Sequence, residues 1–261
     1  METKKLFAFD LDGTLFNDER QISERTINII DSLIQKGNVI SIATARPVRD
    51  VLRLLPQNFS PHYIVCYNGA EVYNRTSLIV QSHIPPETAY QVIKELALRQ
   101  AGVFIGVESL DVFHVNQSPA HLFGEVDHSL TTFNDFNHHV FKNGITKIIF
   151  EGSHHNLESY TKGLLNDICS VTHTDNGAII QVMAQGVDKW EALKSIAQIE
   201  EIAIADVIAF GNDHNDISMI TSCGVGVAMA NSTPALLALA RYTTTSNENE
   251  GVAVYLEKYF N

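Results

Sequence analysis

The sequence predicts an α/β protein, a parallel-sheet core interrupted by an inserted α+β domain. Three observations predict it. Short apolar runs alternate with helix-period segments through the opening third and again after Gly186, as in a parallel sheet layered with helices. From about residue 84 the rhythm changes to helix followed by paired strands, used twice. The apolar runs of the outer segments end in polar or glycine-containing turns, the usual site of ligand binding in such sheets.

Leu6–Phe9 reads as a buried strand stopping at Asp10-Leu11-Asp12-Gly13-Thr14. Ser23 then caps a helix carrying Ile27, Ile30 and Ile34 at helical spacing, with Gly37 at its end. Val39–Ala43 is apolar enough for a fully buried strand, and Pro47 suits the first turn of a helix with Val51, Leu54 and Leu55 inward. Tyr63–Tyr67 is a third strand, before Asn68-Gly69. The insertion opens with a helix from Pro85-Pro86 to Ala101, then strands at Val103–Val107 and Asp111–Val115. Ile145–Phe150 is a strand and His155–Asn166 a helix, followed by a hairpin of Cys169–Thr174 and Ala178–Val182 around Asp175-Asn176-Gly177. The first rhythm returns with a helix near Lys189, a strand at Val207–Phe210 and a helix at Asp213–Thr221. A strand at Val225–Met229, a helix at Thr233–Ala240, a loop at Thr243–Glu250 and a closing helix to Tyr259 complete it. The expected domains are therefore 1–83 with 185–261, and 84–184, joined near Gln81–Pro86 and Ala184–Asp188.

Composition narrows the function. At 261 residues the chain can hold one large domain or two small ones, with a core that needs no covalent staples. The 18 Lys+Arg against 30 Asp+Glu leave a charge of −12, which repels nucleic acid and anionic lipid. A small anion in a locally basic pocket is the partner that remains. Cys66, Cys169 and Cys223 are odd in number and far apart, which argues against a disulfide framework and a thiolate zinc site. The first apolar run is broken by Asp10 and Asp12, too short and too charged for a signal peptide, and no run approaches a membrane span. The expectation is a soluble, cytoplasmic protein that binds neither nucleic acid nor membrane.

Four clusters carry the chemistry. Asp10 and Asp12 supply hard oxygens at a strand end, suited to magnesium; the plain alternative is an Asp-Gly turn, disfavoured because no antiparallel partner strand follows. Thr44-Ala45-Arg46 offers a hydroxyl and backbone N–H groups ahead of a helix, a phosphate cradle or a simple N-cap. Lys189 at a helix start opposes the macrodipole, which hints at an anionic partner; otherwise it is a solvated lysine. Gly211-Asn212-Asp213-His214-Asn215-Asp216 gathers oxygen donors at the same edge. It lacks the sixth-position glycine and distal glutamate of an EF-hand, and a capped helix start is the alternative. The pairs His138-His139 and His154-His155 read as ordinary surface or hydrogen-bonding histidines, since adjacent side chains diverge.

Taken in order, these clusters resemble the motifs of the haloacid dehalogenase-like hydrolases, in particular the Cof-type sugar phosphatases. Phe9-Asp10-Leu11-Asp12-Gly13-Thr14-Leu15 is similar to the first motif in full, and Ala43-Thr44-Ala45-Arg46 to the second, with Ala45 where glycine is usual. Gly186-Val187-Asp188-Lys189 is similar to the third. Gly211–Asp216 is similar to the fourth, with Asn212 where a metal-binding aspartate is usual. Asn68-Gly69 and Glu250-Gly251-Val252-Ala253 extend the likeness over nearly the whole chain.

The resemblance implies a Rossmann-like core with a cap domain that selects a small phosphorylated metabolite. It implies that Asp10 attacks phosphorus to form an aspartyl-phosphate and that Asp12 acts as acid and then base. It assigns Mg²⁺ to Asp10, the Asp12 carbonyl and Asn212. Phosphate oxygens fall to Lys189, Thr44, Asn215 and the N–H groups of Leu11 and Ala45, with Arg46, Asp213 and Asp216 supporting. Asp213 is the alternative third ligand. A phosphomutase or phosphotransferase of the same fold, or a non-catalytic phosphate-binding module, are the competing functions. The resemblance names no particular substrate and no oligomeric state.

Overall fold

The computed structural model describes residues 3–75, 77–123, 128–130, 142, 144–152, 163–174 and 177–260. In chain order the strands are β1 (Leu6–Phe9), β2 (Val39–Ala43), β3 (Tyr63–Cys66), β4 (Glu71–Asn74) and β5 (Ser77–Gln81). They continue with β6 (Ile105–Ser109), β7 (Val112–Val115), β8 (Ser129–Leu130), β9 (Lys147–Glu151), β10 (Cys169–Thr174) and β11 (Ile179–Ala184). The last three are β12 (Val207–Gly211), β13 (Val225–Ala228) and β14 (Tyr242–Thr243). The chain divides into two compact units, Met1–Val80 with Asp188–Asn261, and Gln81–Val187.

The first unit is built on an eight-stranded sheet, ordered β14-β13-β12-β1-β2-β3-β4-β5. The strands from β14 to β3 run parallel, and β4 turns back antiparallel to β3. β1, β2, β3 and β12 are buried along their whole length, so they read as continuous apolar runs rather than alternating ones. Helices cover both faces. Leu6, Ala8, Val39 and Val65 pack with Trp190, Leu193 and Ile196 of the helix Lys189–Ile199. On the other side Phe9 stacks on Phe210, which meets Tyr255 of the helix Gly251–Phe260 edge-on.

The chain leaves β1 toward β2 on one side and returns through β12 on the other, so the strand order reverses at β1. Ligands of open α/β sheets bind at that crevice, outside the carboxyl ends. Register sets the height: Phe9 lies beside Phe210 and Ile42, so the segments after β1, β2 and β12 leave the sheet side by side.

Several elements depart from expectation. The opening third is not wholly parallel, because β4 runs antiparallel to β3 and β5 lies beyond it at the sheet edge, both overshadowed by the strong apolar pattern of β1 to β3; β5 is mostly exposed. Ser23 does cap the first helix, Glu24–Gln35, but its buried face is Ile27, Ile30 and Leu33, with Ile34 only half-buried. Pro47 is the N-cap of the helix Val48–Leu54 rather than part of it, and Leu54 and Leu55 are half-buried. The helix expected over Asp213–Thr221 is a tight 3-10 turn, His214–Asp216, followed by a helix over Ile217–Ser222. The loop expected over Thr243–Glu250 begins within β14 and contains a turn at Asn247–Asn249.

The second unit is a six-stranded sheet, β10-β11-β9-β6-β7-β8, antiparallel except for the β7–β8 pair. Ala89, Val92, Ile93 and Leu96 of the helix Pro86–Arg99 pack with Ile105, Val107, Ile148, Phe150, Ile180 and Val182. Phe104, Phe113, Val115, Ile149 and Ile179 form a second cluster. The alternation along β9 and β11 assigns the two clusters to opposite faces of the sheet. The hairpin of β10 and β11 is present, with Asp175 and Asn176 of its turn outside the described residues. So are His138, His139, His154, His155 and most of the helix expected over His155–Asn166, of which Leu164–Ile168 includes the end. Among the described residues no helix is long and apolar enough to cross a membrane.

Candidate active site

Asp10 follows β1 and is nearly buried, its N–H donating to Phe210 O at 3.0 Å. The next residues fold back tightly: Thr14 and Phe16 N–H donate to Leu11 O and Leu15 N–H to Asp10 O. Gly13, at φ +74°, allows this turn, and a Cβ there would strike the Asn212 side chain. The Asp-Gly pair is thus a loop at the sheet edge and not a hairpin.

Lys189 arrives from the first turn of its helix, capped by Asp188, whose side chain accepts from Glu191 N–H at 2.8 Å. Its Nζ donates to Asp10 Oδ1 and to Asp216 Oδ1, both at 2.7 Å, and both Lys189 and Asp216 are fully buried. A buried ion pair is costly unless its remaining lone pairs are satisfied. Here the second Asp216 oxygen accepts from Asn212 N–H at 2.8 Å and Asp213 N–H at 3.0 Å. Burial opposes the Lys189 charge, but Asp10 and Asp216 outweigh it and hold the ammonium above its ordinary pKa. Burial pushes the Asp10 carboxyl up from 3.8 to about 7, with Lys189 pulling the other way and Asp216 adding to the rise. The misplaced lysine of the helix start is therefore the partner of two carboxylates.

Asp12 is set differently. Its side chain is 50% exposed and takes a two-pronged bond from Arg46, Nε to Oδ2 and Nη2 to Oδ1, both 2.6 Å. Burial works against the Arg46 charge, and the bond to Asp12 raises it again. Arg46 comes from the segment after β2, where the Thr44 hydroxyl accepts from Arg46 N–H at 3.1 Å and so shapes the turn through Ala45.

Asn212 lies across from both carboxylates. Its amide Oδ1 accepts from the Thr14 hydroxyl at 2.8 Å, and the same end of the side chain lies beside the Asp12 carbonyl and Asp10 Oδ2. Asp213 is turned elsewhere, its carboxylate accepting from His214 N–H at 2.7 Å as the cap of the following turn. Asn215 Nδ2 donates to Asn68 Oδ1 at 2.9 Å.

Sequence reading did not foresee the part of the Tyr67–Gly69 turn. Tyr67, Asn68 and Gly69 all have positive φ (52°, 56° and 108°). Tyr67 N–H donates to Arg46 O and Asn68 N–H to Thr44 O. A Cβ on Gly69 would run into the Asp188 carbonyl. One strained turn thus braces the segment after β2, the start of the Lys189 helix and Asn215. The Asn-Gly pair was the available signal, since both residues tolerate the left-handed region.

The donor set suits a hard divalent ion. A carboxylate oxygen of Asp10 and the Asp12 carbonyl converge on one point beside Asn212, and all are ligands that Mg²⁺ accepts. Among the described residues no group of three or more His, Cys, Asp or Glu is placed to hold a metal, so an ion here would rely on a backbone carbonyl and an amide as well.

A family model of haloacid dehalogenase-like hydrolases matches residues 7–256. The 5-amino-6-(5-phospho-D-ribitylamino)uracil phosphatase YitU of Bacillus subtilis is 29% identical over 280 aligned positions, covering 100% of this chain and 99% of that protein. The HMP-PP phosphatase of Cronobacter sakazakii is 28% identical, over 90% of this chain and 87% of its own. A solved haloacid dehalogenase-like hydrolase from Bacteroides thetaiotaomicron superposes with a TM-score of 0.80 at 26% identity, over 99% of this chain and 100% of that one.

Proposed function

The chain belongs to the haloacid dehalogenase-like hydrolases and, with phosphatases among its relatives, is a phosphoric monoester hydrolase, and from that premise we propose a Mg²⁺-dependent phosphatase of a small phosphorylated metabolite. The Cof-type resemblance read from the four motifs is borne out by the same matches. The observation that carries the proposal is the contrast at the carboxyl edge of β1, where Asp10 is buried against Lys189 and Asp12 stays half exposed.

In the first step an Asp10 oxygen bonds to phosphorus, the ester P–O bond breaks, and Asp12 gives its proton to the departing alkoxide. In the second, Asp12 takes a proton from water as the water oxygen bonds to phosphorus, and Asp10 leaves as a carboxylate with inorganic phosphate. Phosphoryl transfer is mostly positioning and charge neutralisation. Lys189, the Thr44 hydroxyl, Asn215 and the N–H groups of Leu11 and Ala45 would take the phosphate oxygens, with Asp216 holding Lys189. Asp10, the Asp12 carbonyl and Asn212 would hold Mg²⁺, which would supply charge neutralisation at the transferred group. Arg46 would keep Asp12 aimed at the site.

All of these residues belong to the first unit, and the Gln81–Val187 unit is left the task of choosing the substrate. The test is purified protein with Mg²⁺ against phosphorylated sugars and phosphorylated cofactor precursors, including 5-amino-6-(5-phospho-D-ribitylamino)uracil. Stoichiometric release of inorganic phosphate is expected, whereas a phosphomutase would return the group to a sugar. Asp10→Asn should abolish turnover and keep the fold; wild-type turnover in that variant would overturn the mechanism.

A further inference from the structure

The register of β1 with β12 ends at Phe9 and Phe210. Past that point the sheet no longer dictates how the Asp10–Thr14 turn faces the segment Gly211–Asp216. A third segment, Met229–Thr233, joins them. It is docked on the fourth cluster: Met229 N–H donates to Gly211 O at 3.1 Å, Ser232 Oγ to the same oxygen at 3.3 Å, and Thr233 N–H to Asn212 O at 2.9 Å. From this anchored segment Asn231 reaches the first cluster, its Nδ2 donating to Gly13 O at 2.8 Å. Its Oδ1 accepts from Asn247 N–H at 3.1 Å. One partner can only receive and the other can only give, so the amide has a single satisfied orientation. Asn247 carries the link onward, Nδ2 donating to Phe16 O at 3.1 Å and to Asp18 Oδ1 at 3.3 Å.

We propose that Asn231 is a positioning residue for the reaction, the tie that sets where the Asp10–Thr14 turn stands against the Asn212 segment. The proposal rests on the phosphatase reading of that site. The turn closes on itself through Leu11 O and Asp10 O, and glycine at its tip leaves the main chain free to pivot. Holding Gly13 O fixes the peptide between Gly13 and Thr14, and with it the Thr14 hydroxyl that donates to Asn212 Oδ1 at 2.8 Å. Asp12 is thereby held from two sides. Arg46 grips its carboxylate, and Asn231 holds the main chain one residue on. Asn231 is exposed, so water competes for its bonds and they add little stability. Their worth is geometric.

The experiment compares wild type, Asn231→Asp and Asn231→Ala. The aspartate keeps the shape and the acceptor for Asn247 N–H but loses the donor to Gly13 O, whereas alanine loses both. Each variant should melt within about 2–4 °C of wild type. Each should lower kcat roughly 10–100-fold with KM changed less, the scale expected of a small misplacement of reacting groups. Amide exchange in the substrate-free protein should quicken at Thr14, Leu15 and Phe16 and stay at wild-type rates along β1 and β12. If Asn231→Asp turns over at the wild-type rate, the Gly13 bond is not the tie and the proposal is overturned. Exchange quickened throughout β1 and β12 overturns it as well, since the residue would then support the fold alone. If wild type itself releases no phosphate, the phosphatase reading falls and exchange decides the tie by itself. Unchanged rates at Thr14–Phe16 would then overturn it, and quickened rates uphold it.

Discussion

Asp10 and Asp12 sit two residues apart and each meets a cation, yet their settings are opposite. Asp10 is 6% exposed and shares Lys189 with the fully buried Asp216. Asp12 is half exposed and paired with Arg46, itself 20% exposed. In the first case desolvation is large and every oxygen must be satisfied, so the geometry is rigid and removal of one partner leaves uncompensated charge. In the second, water competes with the ion pair and little free energy is at stake. The difference matches a division of labour: an attacking carboxylate needs a fixed position, whereas a proton carrier must exchange with solvent and with the leaving group.

The comparison is broken most severely at Lys189. Lys189→Met keeps the volume but leaves Asp10 and Asp216 facing each other without a cation. We expect a loss of about 3–5 kcal/mol of stability, read by denaturant unfolding, together with loss of phosphate release. A variant that unfolds within about 1 kcal/mol of wild type would mean that the buried pair is not the support described.

Next in size is the exposed pair, where chemistry and stability should separate. Asp12→Asn should lower turnover by about 10²–10⁴-fold, the usual worth of an acid–base group, with stability changed by at most about 1 kcal/mol. Arg46→Ala should change stability equally little and lower turnover less than Asp12→Asn does, because it removes the aim and not the proton. Equal rate losses in the two variants would make Arg46 a participant in the reaction rather than a positioning residue.

What the sequence disclosed follows the same division. β1, β2 and β12 are legible because buried parallel strands carry unbroken apolar runs, and each is followed by a polar segment at one edge. Lys189 was legible through a conflict, a cation at a helix start where the backbone dipole opposes it. The Tyr67–Gly69 brace was not, since its contacts join residues far apart in the chain through backbone groups that every residue has. β4 and β5 escaped for a related reason: β5 is mostly exposed and carries no buried face to set its period.

The smallest expected effect is a pH slope in the metal-free protein, and it tests the burial of Asp10 directly. Burial raises its carboxyl from 3.8 to about 7, so between those values the folded state binds a proton that the unfolded chain releases. The stability this contributes is fully present below about pH 4 and is lost as pH rises through about 7. Asp10→Asn cannot titrate and has no such loss. Measured in EDTA by urea unfolding, wild type should therefore lose stability relative to Asp10→Asn between about pH 4 and 7 and run parallel to it above. Taking the difference cancels Glu200, Asp206, Glu250 and Glu257, whose pKa values are lowered by their own partners and which give slopes of the opposite sign. A flat difference would mean that Lys189 fully offsets the cost of burying Asp10. The nucleophile would then be ionised across the whole range, and the contrast with Asp12 would reduce to exposure alone.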